Sequence, residues 1–102
     1  MMKIALEKKE HSVTLILNGR FDFSSHREFR HASDEALQTP GVKEIGVDFK
    51  SVDYLDSSAL GMLLLLRERS HNANIQVTLL NCTGIVRQVL DVANFQRLFT
   101  IN

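Results

Sequence analysis

A chain of 102 residues in which twelve lysines and arginines balance twelve aspartates and glutamates has room for one domain around one core, and no second domain fits. Neither sign of charge gathers into a long block, so there is no electrostatic footprint for nucleic acid or for an anionic membrane, and the expected partner is another protein. The single cysteine, Cys82, rules out an internal disulfide and a cysteine zinc site, and is expected to be a small buried hydrophobe in a reducing compartment.

From Met1 to Glu10, charges stand where a signal peptide needs its apolar segment, so a cytoplasmic protein is expected. Lys3 to Glu7 alternates, with Ile4 and Leu6 on one side, and Ser12 to Asn18 alternates again with Val13, Leu15 and Leu17 turned inward. These are two predicted strands of a hairpin, joined by the charged turn Lys8-Lys9-Glu10. Gly19 is expected to end the second strand. Phe21-Asp22-Phe23 then leads into Ser25-His26-Arg27-Glu28, a Ser-x-x-Glu pattern predicted to form a capping box. Phe29, Ala32 and Ala36 fall on one face of the helix that follows, and Thr39-Pro40-Gly41 stops it.

Ile45, Val47 and Phe49 alternate with Gly46 and Asp48 as a strand does, and Asp53-Tyr54-Leu55 is expected to finish a short polar loop before the next helix. Asp56, Ser57 and Ser58 are all suited to cap that helix. The run from Ala59 to Leu66 is apolar except at Gly61. It falls well short of the ~20 residues that span a bilayer, so it is predicted to be a core helix, apolar on nearly all sides and wet only at its start. His71-Asn72-Ala73-Asn74 is a polar turn, and Ile75 to Leu80 a strand lying parallel to the central one. Asn81-Cys82-Thr83-Gly84 is a loop, and Ile85, Val86, Val89 and Leu90 form the apolar stripe of a third helix that Asn94 ends. Phe95, Leu98, Phe99 and Ile101 return to the core, through a short last strand. The predicted fold is a single α/β domain over residues 1–102. Its mixed sheet of four to five strands is antiparallel at its start and parallel toward its middle, covered by about three helices.

The strong signatures of nucleotide and metal chemistry are missing: no Gly-rich phosphate loop with its lysine, no His-Glu-x-x-His, no paired cysteines. His11, His26, His31 and His71 sit at spacings that make no ligand set. Asp48, Asp53 and Asp56 suggest the acidic pocket of a phospho-aspartate receiver, but Asp48 lies inside an alternating strand. Ser57 and Ser58 lack the Gly-x-Ser-x-Gly elbow of a hydrolase. No enzyme, cofactor or metal is expected. What remains at Asp56-Ser57-Ser58 is either the start signal of a core helix or a hydroxyl at a positively polarised helix end, where free amides and the helix dipole favour a phosphate. Parallel strands deliver their following segments to one edge of the sheet, so the residues before this helix and its exposed first turn, with Asp22 and Phe23 beside them, are the expected binding edge.

The order Asp56-Ser57-Ser58-Ala59-Leu60-Gly61, after Val47-Asp48-Phe49 and Asp53-Tyr54-Leu55, resembles the phosphoacceptor signature of the STAS domain of bacterial anti-sigma factor antagonists. Leu17-Asn18-Gly19-Arg20-Phe21-Asp22 is similar to that family's strand-to-helix passage, and Asn81-Cys82 through Phe95 to its last strand-helix unit. With Phe21-Asp22-Phe23 the likeness is to small stand-alone members acting in motility and biofilm control of Gram-negative bacteria. Ala59 stands where the family has glycine, and there is no counterpart of the terminal helix of sporulation-type members. The resemblance implies partner switching by a monomer: the unmodified protein binds an anti-sigma factor or a related serine kinase of the same ATPase class. Phosphorylation at Ser57 releases it, and a metal-dependent serine phosphatase resets it. The implied partner-binding residues are Asp22, Phe23, Asp53, Tyr54, Leu55, Asp56, Ser57, Ser58 and Gly61. Helix side chains diverge by about 100° per residue, so only one of the two serines is expected to face a kinase, with Ser58 turned toward the backbone. The alternative within the same fold is an accessory subunit docking on the ATPase of a phospholipid transporter.

Overall fold

Period-two patterning builds the first hairpin: β1 (Lys3–Lys8) and β2 (Ser12–Phe21) pair antiparallel, with Ile4 opposite Leu17 and Leu6 opposite Leu15. The computed structural model describes residues 2–102. Beyond the hairpin, β3 (Glu44–Leu55) runs parallel to β2, β4 (Gln76–Leu80) parallel to β3, and β5 (Thr100–Ile101) parallel to β4, in the spatial order β1-β2-β3-β4-β5. Three helices connect them: α1 (His26–Leu37), α2 (Ser57–Asn72) and α3 (Gly84–Val92). The observed mixed sheet of five strands with three helices lies within the predicted four to five strands and about three helices.

Val13, Leu15 and Leu17 of β2, Ile45, Val47 and Phe49 of β3 and Leu79 of β4 are buried, while the alternate residues Ser12, Thr14, Ile16 and Asp48 are half-exposed on the other face. The core continues through an aromatic group in which Phe21 stands 4.9 Å from Phe29 and 6.3 Å from Phe49. Above it, α1 and α2 are joined by the Arg69 guanidinium, which donates to Asp34. That hydrogen bond, with the charges of Arg69 and Arg30, holds the Asp34 carboxyl below its usual range.

Four boundaries differ from expectation: α2 runs on through His71 and Asn72, expected to open a turn, and the other three differences concern one end of the sheet. Gly19 does not end β2; at φ +116° it takes a conformation open to glycine, the register shifts beside it, and the strand continues to Phe21. Asp53-Tyr54-Leu55 is not a loop, because β3 carries on past that same irregularity to pair Arg20 with Tyr54 and Phe21 with Leu55. β2 and β3 therefore project beyond β4, whose pairing with β3 stops at Asp48 and Leu80. The expected Ser25–Glu28 capping box is also not formed. Asp22 instead caps a single 3-10 turn, Phe23–Ser25, in a box with Ser25, whose hydroxyl donates to Arg20 O at 3.0 Å. Ser25 makes no side-chain cap to α1.

The central helix departs furthest. Its buried side is Ala59, Met62, Leu63, Leu66 and Ser70, but Leu64 and Leu65 are 40% and 41% exposed. An unbroken apolar run covers every direction around a helix, whereas the sheet and α1 cover only part of them.

Candidate functional site

One residue separates the longest strand from the central helix. Asp56 is extended (φ −112°, ψ −178°), its Oδ1 accepts from Ala59 N at 3.0 Å, and its own amide donates to Phe21 O at 3.3 Å. The helix start is thus pinned on one side by the side-chain cap and on the other by the neighbouring strand. The carboxylate does the capping, which leaves both hydroxyls that follow free of that duty.

Ser57 and Ser58 are both exposed, and Ala59 directly after them is fully buried. The expectation that Ser58 turns in toward the backbone is corrected: with Asp56 taking the amide of Ala59, nothing draws Ser58 inward. The two serines differ in surroundings instead. Ser57 lines a groove of about 570 Å³ with Leu55, Leu60, Ile85, Val89 and Val92, and Ser58 does not.

The neighbouring strand end supplies a second cluster. Asp22 Oδ1 accepts from Ser24 N at 3.0 Å and from Ser24 Oγ at 2.6 Å. These bonds, the Ser24 hydroxyl foremost, with Arg20 nearby, hold the Asp22 carboxyl below its usual range, so it is charged at neutral pH. Arg20 lies 3.6 Å from Asp22 Oδ2 and 4.0 Å above the centre of the Tyr54 ring, linking the ends of β2 and β3. Phe23 is 75% exposed, an unusual position for a phenylalanine with no covering contact.

Of the residues predicted to bind a partner, Asp22, Phe23, Asp53, Tyr54, Asp56, Ser57, Ser58 and Gly61 all reach solvent, while Leu55 is buried and reaches the groove only as its floor. Among the described residues neither Asp53 nor Asp56 has a cation within ion-pairing distance. A side chain added at Gly61 would meet nothing within 4 Å.

Residues of α3 were missed. Ile85, assigned from sequence to the buried stripe, is 51% exposed and Val92 80%; the buried ones are Val86 and Leu90. The signal was present, because the apolar positions 85, 86, 89, 90, 92 and 93 cover more than the single stripe a helix can bury against one sheet. A smaller hollow of about 220 Å³ lies at the far end of α2, lined by Arg67 and His71, and holds none of the predicted residues. Among the described residues no group of three or more His, Cys, Asp or Glu is placed to hold a metal ion, and no helix is long and apolar enough to cross a membrane.

Comparison with known proteins places these features in context. Residues 4–100 match the family model described as Mlab, STAS domain. A STAS-domain containing protein of Pseudomonas aeruginosa (strain UCBPP-PA14) is 46% identical over 90 residues, covering 88% of this chain and 87% of that protein. An anti-sigma F factor antagonist of Paenibacillus polymyxa is 24% identical over 102 residues, covering 98% of this chain and 87% of that protein. Among solved structures, the anti-sigma factor antagonist SpoIIAA in its unphosphorylated form superposes with a TM-score of 0.76 at 23% identity, over 98% of this chain and 87% of that one. An anti-sigma factor antagonist from Mycobacterium paratuberculosis reaches a TM-score of 0.87 at 13% identity, over 99% and 85%; these two likenesses bear on the fold.

Proposed function

The chain belongs to the STAS-domain family, and from that premise we propose that it is a non-enzymatic anti-sigma factor antagonist whose binding edge is switched by phosphorylation of Ser57. The observation that carries this is the position of Ser57: an exposed hydroxyl, relieved of capping by Asp56, on the lip of the apolar groove between α2 and α3. In the unmodified state the edge offers Phe23, Tyr54, Ile85 and Val92 as apolar contacts beside the charged Asp22, Asp53 and Asp56. The partner is an anti-sigma factor or a related serine kinase, and a metal-dependent serine phosphatase reverses the modification.

The physical consequence of a phosphate follows from its neighbours. It adds about −1.5 to −2 charge at neutral pH, close to Asp53 and Asp56, which pair with no cation among the described residues, and beside Leu60 and Ile85 in the groove. The folded protein tolerates it, because a helix N-terminus favours an anion. A partner seated on the groove would have to strip its water, and each ~1.4 kcal/mol of that penalty weakens binding tenfold. No refolding is needed for release.

The test is incubation with ATP and a candidate serine kinase, followed by peptide mapping. Ser57→Ala is expected to abolish the modification while keeping partner binding, Ser57→Asp to weaken binding without a kinase, and Ser58→Ala to remain a substrate. Phosphate on Ser58 with Ser57 unmodified would overturn the assignment. The matching family model is described by the name Mlab, which keeps a second reading in view: the same edge docks on the ATPase of a phospholipid transporter with no phosphorylation cycle. An unmodified chain that co-purifies stoichiometrically with such an ATPase would favour it.

A further inference from the structure

We infer that the outer edge of β1 pairs with the same edge of a second copy of this chain, antiparallel and centred on Ala5, so that two sheets join into one across a two-fold axis. This is independent of the reading of Ser57, and it departs from the monomer that the family resemblance implies.

The first step concerns the backbone. β1 stands at the end of the sheet order and, among the described residues, pairs with β2 alone. The N–H and C=O groups of alternate residues in Lys3–Lys8 are therefore directed away from the sheet, where another strand can pair with them. The strand contains no proline, and its register with β2 is unbroken, so nothing bends the edge away. Its side chains divide by face. Ile4 and Leu6, on the side of α1, stay half-exposed and line a hollow of about 390 Å³ with Met2 and with Glu28, His31 and Glu35 of α1. Lys3, Ala5 and Glu7 are exposed on the other face.

The residue order of this edge is its own complement when reversed. A two-fold between antiparallel strands passes through a directly opposed pair. Centred on Ala5, it sets Lys3 against Glu7 of the second copy and Ile4 against Leu6 of the second copy. The first pairing is ionic and lies on the open face; the second is apolar and lies on the helix side, and both kinds stabilise a sheet. Centring on Ile4 sets Lys3 against Ala5, and centring on Leu6 sets Ile4 against Lys8, so the neighbouring registers lose the match. Lys3 has no carboxylate partner among the described residues, and Glu7 has only Lys9 at 3.8 Å, an exposed pair that is easily exchanged. Glu28 and Glu35 of both copies border the seam, with Lys8 paired to Glu35. One short strand and this acidic margin make the contact smaller than a standard interface, and the dimer reversible. Because the joined strands run antiparallel, the two Ser57 edges lie at opposite ends of the common sheet, and both stay open to partners.

The test is sedimentation equilibrium of the untagged full chain over a wide concentration range, where the average mass is expected to rise toward twice that of one chain. Lys3→Glu and Glu7→Lys, both at exposed positions that leave the fold intact by circular dichroism, are each expected to weaken the dimer about tenfold, since symmetry turns two attractive pairs into two repulsive ones. An equimolar mixture of the two variants is expected to regain it, because one chain is then acidic at both positions and the other basic. Register is read by cross-linking with a mild oxidant. Ala5→Cys is expected to form a covalent dimer, and Lys3→Cys, whose copies stand roughly 14 Å apart along the strands, is not; the buried Cys82 does not compete. A chain that stays monomeric at every concentration, a dimer indifferent to both charge reversals, a mixture that regains nothing, or equal cross-linking at both positions would each overturn the proposal. So would a segment of another protein held along β1 by a chain that does not itself dimerise.

Discussion

Replacing two adjacent leucines, Leu63 and Leu64, by alanine should have opposite consequences. Leu63 is fully buried against the sheet, so truncation removes its methyl groups from the core and leaves a cavity, a change that costs ~2–5 kcal/mol. Against a total stability of ~5–15 kcal/mol, this is a large fraction. With a urea dependence of ~1–3 kcal/mol per molar, the midpoint should fall by about 1–2 M, and the melting temperature by at least ~8 °C. Leu64 is 40% exposed and follows Leu60 at helical spacing, away from the buried side of the helix, so its truncation should cost less than ~1 kcal/mol. Urea melts followed by circular dichroism separate the two. Equal destabilisation by both variants would refute the division of α2 into a buried face and an exposed face.

The two glycines flanking this region should respond in opposite senses. Gly46→Ala places a Cβ 3.0 Å from Leu80 Cδ1 and 3.3 Å from Thr14 Oγ1, and should destabilise by ~1–3 kcal/mol. Gly61→Ala meets open space in a helix interior and should stabilise by ~0.5–1 kcal/mol in the same melts. Asp34, whose carboxyl is held low first by Arg69, contributes stability that is complete above its unfolded value near 4 and disappears as pH falls through the lower folded value. Asp34→Asn should therefore cost up to ~1 kcal/mol at neutral pH, given its partial exposure, and the gap to wild type should close in melts below about pH 4. Cys82, buried and pushed up to about 11 by that burial, should react slowly with a thiol reagent at mildly alkaline pH until denaturant is added.

Where a residue's neighbours lie within a few positions, its role was legible in the amino-acid order. Val13, Leu15 and Leu17, and Ile45, Val47 and Phe49, alternate because one face of each strand is core. Asp56 is a cap because a short carboxylate reaches the amide three residues on. The extension of β3 to Leu55 was not legible. Two register shifts break the alternation over Lys50 to Tyr54, and only the partner strand, distant in sequence, shows that pairing continues. Likewise Asp22 and Ser25 satisfy each other only because β2 runs on past Gly19 and delivers them to the 3-10 turn.

The exposed apolar residues were misread for a different reason. Leu64, Ile85 and Val92 obey the composition rule for a core and break it only in position. Hydropathy alone does not say whether the surface that covers a side chain comes from the same chain. The geometric limit does: a helix against a sheet buries one stripe, so α2 and α3 each carry more apolar positions than the fold can use. Apolar side chains left at a surface add little to folding and invite association. The surplus of α3, Ile85 and Val92, borders the groove whose upper lip is Ser57, so these residues, which the core does not use, share an edge with the capped serine, the Arg20–Tyr54 stack and Asp53 and Asp56, which pair with no cation among the described residues. A core-packing origin for every apolar position of α3 would predict no such convergence.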